Sequence, residues 1–169
     1  MRHMAGAVLF AAIAVVSAGA AGEQARATLK NAQGETVGEA TLTETPHGVL
    51  IHVDLTKAPA GAHAFHLHAV GKCEPPFTTA GGHFNPSSKQ HGLENPMGMH
   101  AGDMPNIDVP SDGRLAFDVL NHDVTLAAGA NSLLDADGSA IVIHAKGDDY
   151  KSDPAGNAGD RVICGIVSK

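Results

Sequence analysis

Six histidines and one aspartate stand at positions that could hold two metal ions: His66, His68, His83, His91, His100, Asp103 and His144. Three imidazoles and a carboxylate suit tetrahedral zinc. Four imidazoles in a flattened arrangement suit Cu(II). Seven side chains supply two four-ligand sites only if one ligand is shared, and an imidazole deprotonated on both nitrogens can bridge two cations. His83 is the natural bridge, because it follows the His66/His68 pair and opens the group of His91, His100 and Asp103. Histidine is the compositional outlier, 11 of 169 residues, and imidazole is the commonest metal ligand.

These residues need elements to position them. His66-Leu67-His68 falls in a run, residues 63–70, that reads as a strand, and residues two apart on a strand share a face. His144 follows the apolar Ile141-Val142-Ile143 on a late strand that could pack beside that pair. Residues 71–106 form a long stretch rich in Gly, Pro, His and Met, with no clear period. So long a loop is usually functional, and this one carries His83, His91, His100 and Asp103. A bound metal would order it, so that binding energy becomes folding energy.

The rest of the chain reads as short strands between turns. Residues 26–31 and 37–43 flank a hairpin turn at Ala32-Gln33-Gly34-Glu35. Residues 49–55 alternate apolar and polar. Further strands are expected at 115–120, 140–145 and 161–168, with a second irregular loop over 146–160. Seven or eight strands with turn-rich links predict an all-β antiparallel sandwich or barrel. The length suits one domain, without repeats or a linker.

The formal charge of −7 argues against a nucleic-acid partner. Residues 1–20 read as a cleaved signal peptide. A short basic start, Met1-Arg2-His3, precedes an apolar run over 5–16 that is too short to span a bilayer, and Ala18-Gly19-Ala20 supplies a small-residue cleavage site. The mature domain is then 21–169, exported to the periplasm or secreted, with no membrane span. In an oxidising compartment Cys73 and Cys164 read as a disulfide. Closing a loop of roughly ninety residues corresponds to about 4–5 kcal/mol of chain entropy.

Several segments resemble the copper,zinc superoxide dismutases, in the exported bacterial form. Phe65-His66-Leu67-His68 is similar to their copper-strand motif, and Gly81-Gly82-His83-Phe84-Asn85-Pro86 to their bridging-histidine motif. His91-Gly92 and His100-Ala101-Gly102-Asp103-Met104-Pro105-Asn106-Ile107 resemble their zinc loop. Val142-Ile143-His144-Ala145-Lys146-Gly147-Asp148-Asp149 resembles the last copper ligand with its acidic pair. Residues 156–165, with Arg161 and Cys164, resemble the C-terminal active-site segment.

The resemblance implies a Greek-key β-sandwich or flattened barrel of about eight strands with two long functional loops. It implies copper on His66, His68, His83 and His144, and zinc on His83, His91, His100 and Asp103. Asp148 would join His66 to His91 from behind the metals, and Cys73–Cys164 would match the family disulfide. The implied activity is an antioxidant one: dismutation of superoxide to O2 and H2O2, as copper is alternately reduced and oxidised. His83 would deliver a proton, and Arg161 would dock the superoxide anion. Lys146 and Lys151 read as guides for the anion or as ordinary solvated lysines.

The chain departs from the family pattern at Ala64, where Gly is usual, at Ala155, where a channel-rim Thr is common, and at Asp160 beside the docking arginine. His63 resembles a structural histidine behind the copper site. His47, His52 and His122 read as surface or strand residues, and Met97, Met99 and Met104 as loop packing. Bacterial relatives of this type occur as monomers and homodimers. The rival reading is a copper- or zinc-holding protein on the same fold, which would be expected to lack a copper ligand or Arg161. An adhesive sandwich has no use for seven ligands, and hydrolytic zinc chemistry lacks a His-Glu-x-x-His helix.

Overall fold

Apolar residues at every second position shape the first strands. In β1 (Gln24–Asn31) Ala25, Ala27 and Leu29 are buried while their neighbours are exposed. In β3 (Gly48–Leu55) Val49, Ile51, Val53 and Leu55 are buried in the same way. With β2 (Thr36–Thr45) between them, they form a meander with one face on the core and one in solvent. The structure, a computed structural model, describes residues 22–169; the signal peptide read at 1–20 lies outside the described residues.

Six more strands complete the fold: β4 (Gly61–His63), β5 (Phe65–His68), β6 (Ile107–Val109), β7 (Leu115–Asn121), β8 (Ala140–His144) and β9 (Arg161–Ile166). One sheet runs β5-β8-β9-β1-β2-β3-β7, a second pairs β4 with β6, and every pairing is antiparallel. The step from β3 across to β4 and β5 is a Greek-key crossover. Phe65 on one end strand meets Phe117 on the other, ring centroids 5.3 Å apart and edge to face, so the large sheet curls round a shared core. The all-β expectation holds, with nine strands among the described residues. The run read as one strand over 63–70 divides at Ala64. Its first part joins the small sheet and its second part the large one, and β6 is an added short strand.

Strands β5 and β8 are buried on both faces. Phe65, Leu67, Ile141 and Ile143 point into the main core. Alternation therefore sends His66, His68 and His144 to the opposite face, outside the barrel wall. That face is covered by the two irregular loops. Residues 82–84 and 102–103 run along the free edge of β5: Phe84 N–H donates to Leu67 O at 2.8 Å, and Leu67 N–H to Gly102 O at 2.9 Å. Residue 102 has to be glycine, because a Cβ there would lie 2.3 Å from Leu67 O.

A disulfide joins Cys73 to Cys164. It holds the start of the first loop onto β9, over a small apolar cluster of Phe77, Ala80, Ala140 and Val142. The 3-10 turn Thr78–Ala80 sits in the same segment.

Candidate metal centre

All seven candidate side chains are buried and fall into two overlapping groups. In each of them the potential ligand atoms lie within 4.8 Å of one another. One group is His66, His68, His83 and His144, and the other is His83, His91, His100 and Asp103. His83 belongs to both. The His66 and His83 rings stand 4.0 Å apart between centroids, and His83 and His91 5.1 Å.

Hydrogen bonding sorts the ring nitrogens. His66 Nδ1, His83 Nε2 and His100 Nδ1 are buried with no hydrogen-bond partner. Orphaned buried polar atoms are costly, and a cation would satisfy them. His68 Nε2 and His144 Nε2 approach to 3.4 Å, two lone-pair positions aimed at one space. Asp103 Oδ1 receives His83 Nδ1 at 2.7 Å and His91 Nδ1 at 2.9 Å, and lies 3.4 Å from His100 Nδ1. Its other oxygen accepts the backbone N–H groups of Gly92 and His100. One side of His83 thus presents an all-imidazole set, as suits copper. The other presents three imidazoles and a carboxylate, as suits zinc.

Behind the two groups lies Asp148. Its Oδ2 accepts from His66 Nε2 at 2.9 Å and its Oδ1 from His91 Nε2 at 3.0 Å, so one carboxylate links both groups. Such outer partners fix which nitrogen of a ligating histidine is free. Asn106, which lies in the zinc-loop motif but has no role assigned by it, and Tyr150, which lies outside the motifs, lock Asp148 in turn. Asp148 N–H donates to Asn106 Oδ1 at 2.8 Å, Asn106 Nδ2 to Asp148 O at 2.9 Å, and Asn106 N–H to Tyr150 Oη at 2.7 Å. That Tyr150 is the chain's one tyrosine was the available signal.

Gly156 closes over this carboxylate with φ +62°, and a Cβ there would fall 1.8 Å from Asp148 Oδ1 and 2.8 Å from His91 Nε2. Gly156→Ala is therefore expected to displace Asp148 and weaken zinc binding at least tenfold, read by chelator competition. Unchanged affinity would show that Asp148 does not act through this contact.

The electrostatics follow from burial and these contacts. Burial, with the neighbouring histidines adding to it, pulls His144 down to about 3. It pulls His83 down to about 4 against the pull of Asp103. His68 falls well below its ordinary value for the same reason. Burial also works against charge on His91, but Asp103 and Asp148 at its two nitrogens outweigh it and raise it to about 9. Burial disfavours ionised Asp103, yet the three histidines hold it far below the usual carboxylate range. Asp148, bonded to His66 and His91, is also held low.

These shifts set a pH signature for metal uptake. With a carboxylate at each nitrogen, metal-free His91 is expected to be the doubly protonated imidazolium at pH 7, whereas His83 is expected to be neutral with a single ring proton. Zinc needs the His91 Nδ1 lone pair, so uptake should release about one proton at pH 7. Affinity should climb with pH until about 9, where His91 gives up its proton unaided. Calorimetry in buffers of different ionisation enthalpy measures the release, and none at pH 7 would contradict the assignment of His91.

Arg161 opens β9 and is half-buried. Nη1 donates to Phe77 O and Nη2 to Gly81 O, each at 2.6 Å, so the disulfide-held loop fixes the guanidinium. Burial lowers its pKa. Gly81 O also lies 3.0 Å from His68 Nδ1, which places the guanidinium on the side of the four-imidazole group.

The remaining candidates sit elsewhere. His63 bonds backbone through both nitrogens, to His144 O at 2.8 Å and Pro59 O at 2.9 Å. His47, His52 and His122 are exposed, and His52 pairs with Asp118 at 2.8 Å. Lys151 pairs with Glu94 at 2.8 Å, and Lys146 is exposed. Met104 faces the core, whereas Met97 is 66% exposed.

Comparison with known proteins follows the same line. A sequence model of the family described as copper/zinc superoxide dismutase (SODC) matches residues 36–167. Superoxide dismutase [Cu-Zn] 1 of Aquifex aeolicus is 54% identical over 144 residues, spanning 83% of this chain and 85% of that protein. Superoxide dismutase [Cu-Zn] 2 of the same organism is 49% identical over 171 residues, spanning 99% of each. Among solved structures, a SOD-like protein from Bacillus subtilis superposes with a TM-score of 0.81 at 39% identity, covering 83% of this chain and 96% of its own. The Cu/Zn superoxide dismutase from Brucella abortus superposes with a TM-score of 0.69 at 27% identity, covering 86% and 100%.

Proposed function

The chain belongs to the copper/zinc superoxide dismutase family, and from that premise we infer how its residues divide the work. It is an oxidoreductase that dismutates superoxide to O2 and H2O2 with copper and zinc as cofactors. Copper supplies one-electron transfer by alternating between two oxidation states, while zinc, which has one, supplies a fixed charge. His66 Nδ1, His68 Nε2, His83 Nε2 and His144 Nε2 would hold copper. His83, His91 and His100 through Nδ1, with Asp103 Oδ1, would hold zinc. The observation that carries this division is the membership of His83 in both groups, with its Nε2 left without a protein partner.

The protein's own part is positioning and proton handling. Asp148 keeps the Nε2 protons of His66 and His91 turned away from the metal positions. Arg161 draws in the anionic substrate with a fixed guanidinium whose remaining N–H donors are directional. His83 Nε2 can hold a proton whenever no cation engages it. A zinc ion on Nδ1 would make that N–H more acidic, so that His83 could pass the proton to the peroxide product.

The test is superoxide consumption by purified protein loaded with copper and zinc. Turnover far above the free-solution rate is expected. Tight binding of both metals with no acceleration would leave the fold reading intact and favour the metal-holding alternative.

Export belongs to the same proposal. Residues 1–20 act as the signal and 21–169 as the mature domain, in the periplasm or secreted. The disulfide suits an oxidising compartment, and no helix among the described residues is long and apolar enough to cross a membrane. The proposal extends to a homodimer through the outer face of β3 and β7. Leu50 and Leu120, paired across β3 and β7, are each 38% exposed on the sheet's outer face. Sedimentation equilibrium decides between dimer and monomer.

A further inference from the structure

Apart from the shared His83, each metal-facing histidine leaves one ring nitrogen pointing outward, and that nitrogen needs an acceptor if its proton is to stay there. His66 and His91 give theirs to Asp148. His68 Nδ1 lies 3.0 Å from Gly81 O, and His144 Nδ1 lies 3.3 Å from Gly159 O. His83 has no outward nitrogen, since both face a metal group. His100 is the exception: its Nε2 has no hydrogen bond, and the carboxylate near it is Asp153, whose Oδ1 lies 3.9 Å away. The same oxygen accepts the backbone N–H of His91 at 2.6 Å. Asp153 thus stands in the second loop with one atom tied to one zinc-group residue and facing the ring of the next.

We propose that Asp153 is the outer carboxylate of the zinc site, a positioning residue that accepts the Nε2 proton of His100 and turns its Nδ1 lone pair toward zinc. This rests on the zinc assignment given above. The gap of 3.9 Å closes by a small rotation of a half-exposed side chain or is spanned by one water, and the bond to His91 keeps Asp153 in reach. The arrangement mirrors Asp148 on the far side of the group. Asp148 is locked by Asn106 and serves both metals, whereas Asp153 is 51% exposed and serves zinc alone. Its loss should therefore release zinc and spare copper.

The experiment is a double-mutant cycle on zinc affinity. Asp153→Ala, His100→Ala and the double variant are loaded with copper, and zinc is titrated against a chromogenic chelator. Asp153→Ala should weaken zinc binding about tenfold, with the copper absorption spectrum unchanged. Asp153→Asn, which keeps an oxygen for His91 N–H without the charge, should fall between. In the His100→Ala background Asp153→Ala should have no further effect. An unchanged zinc affinity in Asp153→Ala overturns the proposal. So does an equal loss with and without His100, which would mean that Asp153 only ties down the loop at His91. If His100→Ala alone binds zinc like the parent, the zinc assignment itself has failed, a pattern distinct from the other two.

Discussion

Replacing His144 with alanine is expected to remove copper and superoxide consumption together while leaving zinc bound. The His144 ring is buried, its Nε2 stands 3.4 Å from His68 Nε2, and its Nδ1 faces Gly159 O. It belongs to the four-imidazole group and has no part in the zinc group. Alanine deletes one of four nitrogen donors and opens space where water can enter. His66 keeps its bond to Asp148, and His83 keeps its bond to Asp103, so the zinc side retains every contact. Elemental analysis should find zinc near one per chain and copper far below it, with superoxide decay at the rate of free solution. A variant that keeps copper and turns over at the parent rate would remove His144 from the copper set.

Arg161→Ala should give the opposite dissociation, with copper retained and the rate constant lowered by about ten- to a hundredfold. The arginine touches none of the metal-facing nitrogens, so the sites keep their ligands. Its guanidinium is held by two carbonyl oxygens, Phe77 O and Gly81 O, and none of the ion pairs among the described residues includes it. A guanidinium fixed by neutral acceptors keeps its full charge for an incoming anion. That matters in a protein of formal charge −7, where attraction has to be local. Asp160 is exposed and lines the same groove as Arg161, of about 710 Å³. Arg161→Lys should recover part of the rate, because a lysine restores charge without the two-carbonyl fork. The parent rate should fall with ionic strength, and the alanine variant should lose most of that dependence. Equal rates in parent and Arg161→Ala would show that the anion reaches the site without this group.

The two variants probe different links of one chain. His144 is placed by strand alternation, since Ile141 and Ile143 face the core and leave the other face to it. Arg161 is placed by the disulfide loop, whose carbonyls accept its donors. Loss of the Cys73–Cys164 bridge would act on the second link and only indirectly on the first.

Much of this is legible in the amino-acid sequence. Alternation in residues 49–55, the His-Leu-His spacing and the apolar run before His144 are local patterns of period two. A strand displays such a pattern whatever it later packs against. The donor types, imidazole and carboxylate, likewise carry their metal preferences with them. What sequence could not convey lies in the irregular loops, where no period links a residue to its partner. The break at Ala64, which sends His63 to one sheet and His66 to the other, depends on pairing with β6 and β8, strands far along the chain. The same is true of Asn106 locking Asp148 across 42 residues, and of Asp153 reaching His91 across 62.

Which atoms can bind metals and that the strands alternate can be read from the chain alone, because these are properties of side-chain chemistry and of local backbone geometry. Packing between distant segments puts the histidine face outside the barrel wall beneath two loops. It also decides which nitrogen of each ring is left free and which carboxylate stands behind it. Those outcomes are set by contacts between segments far apart in the chain, formed as the sheet curls and the loops close over β5.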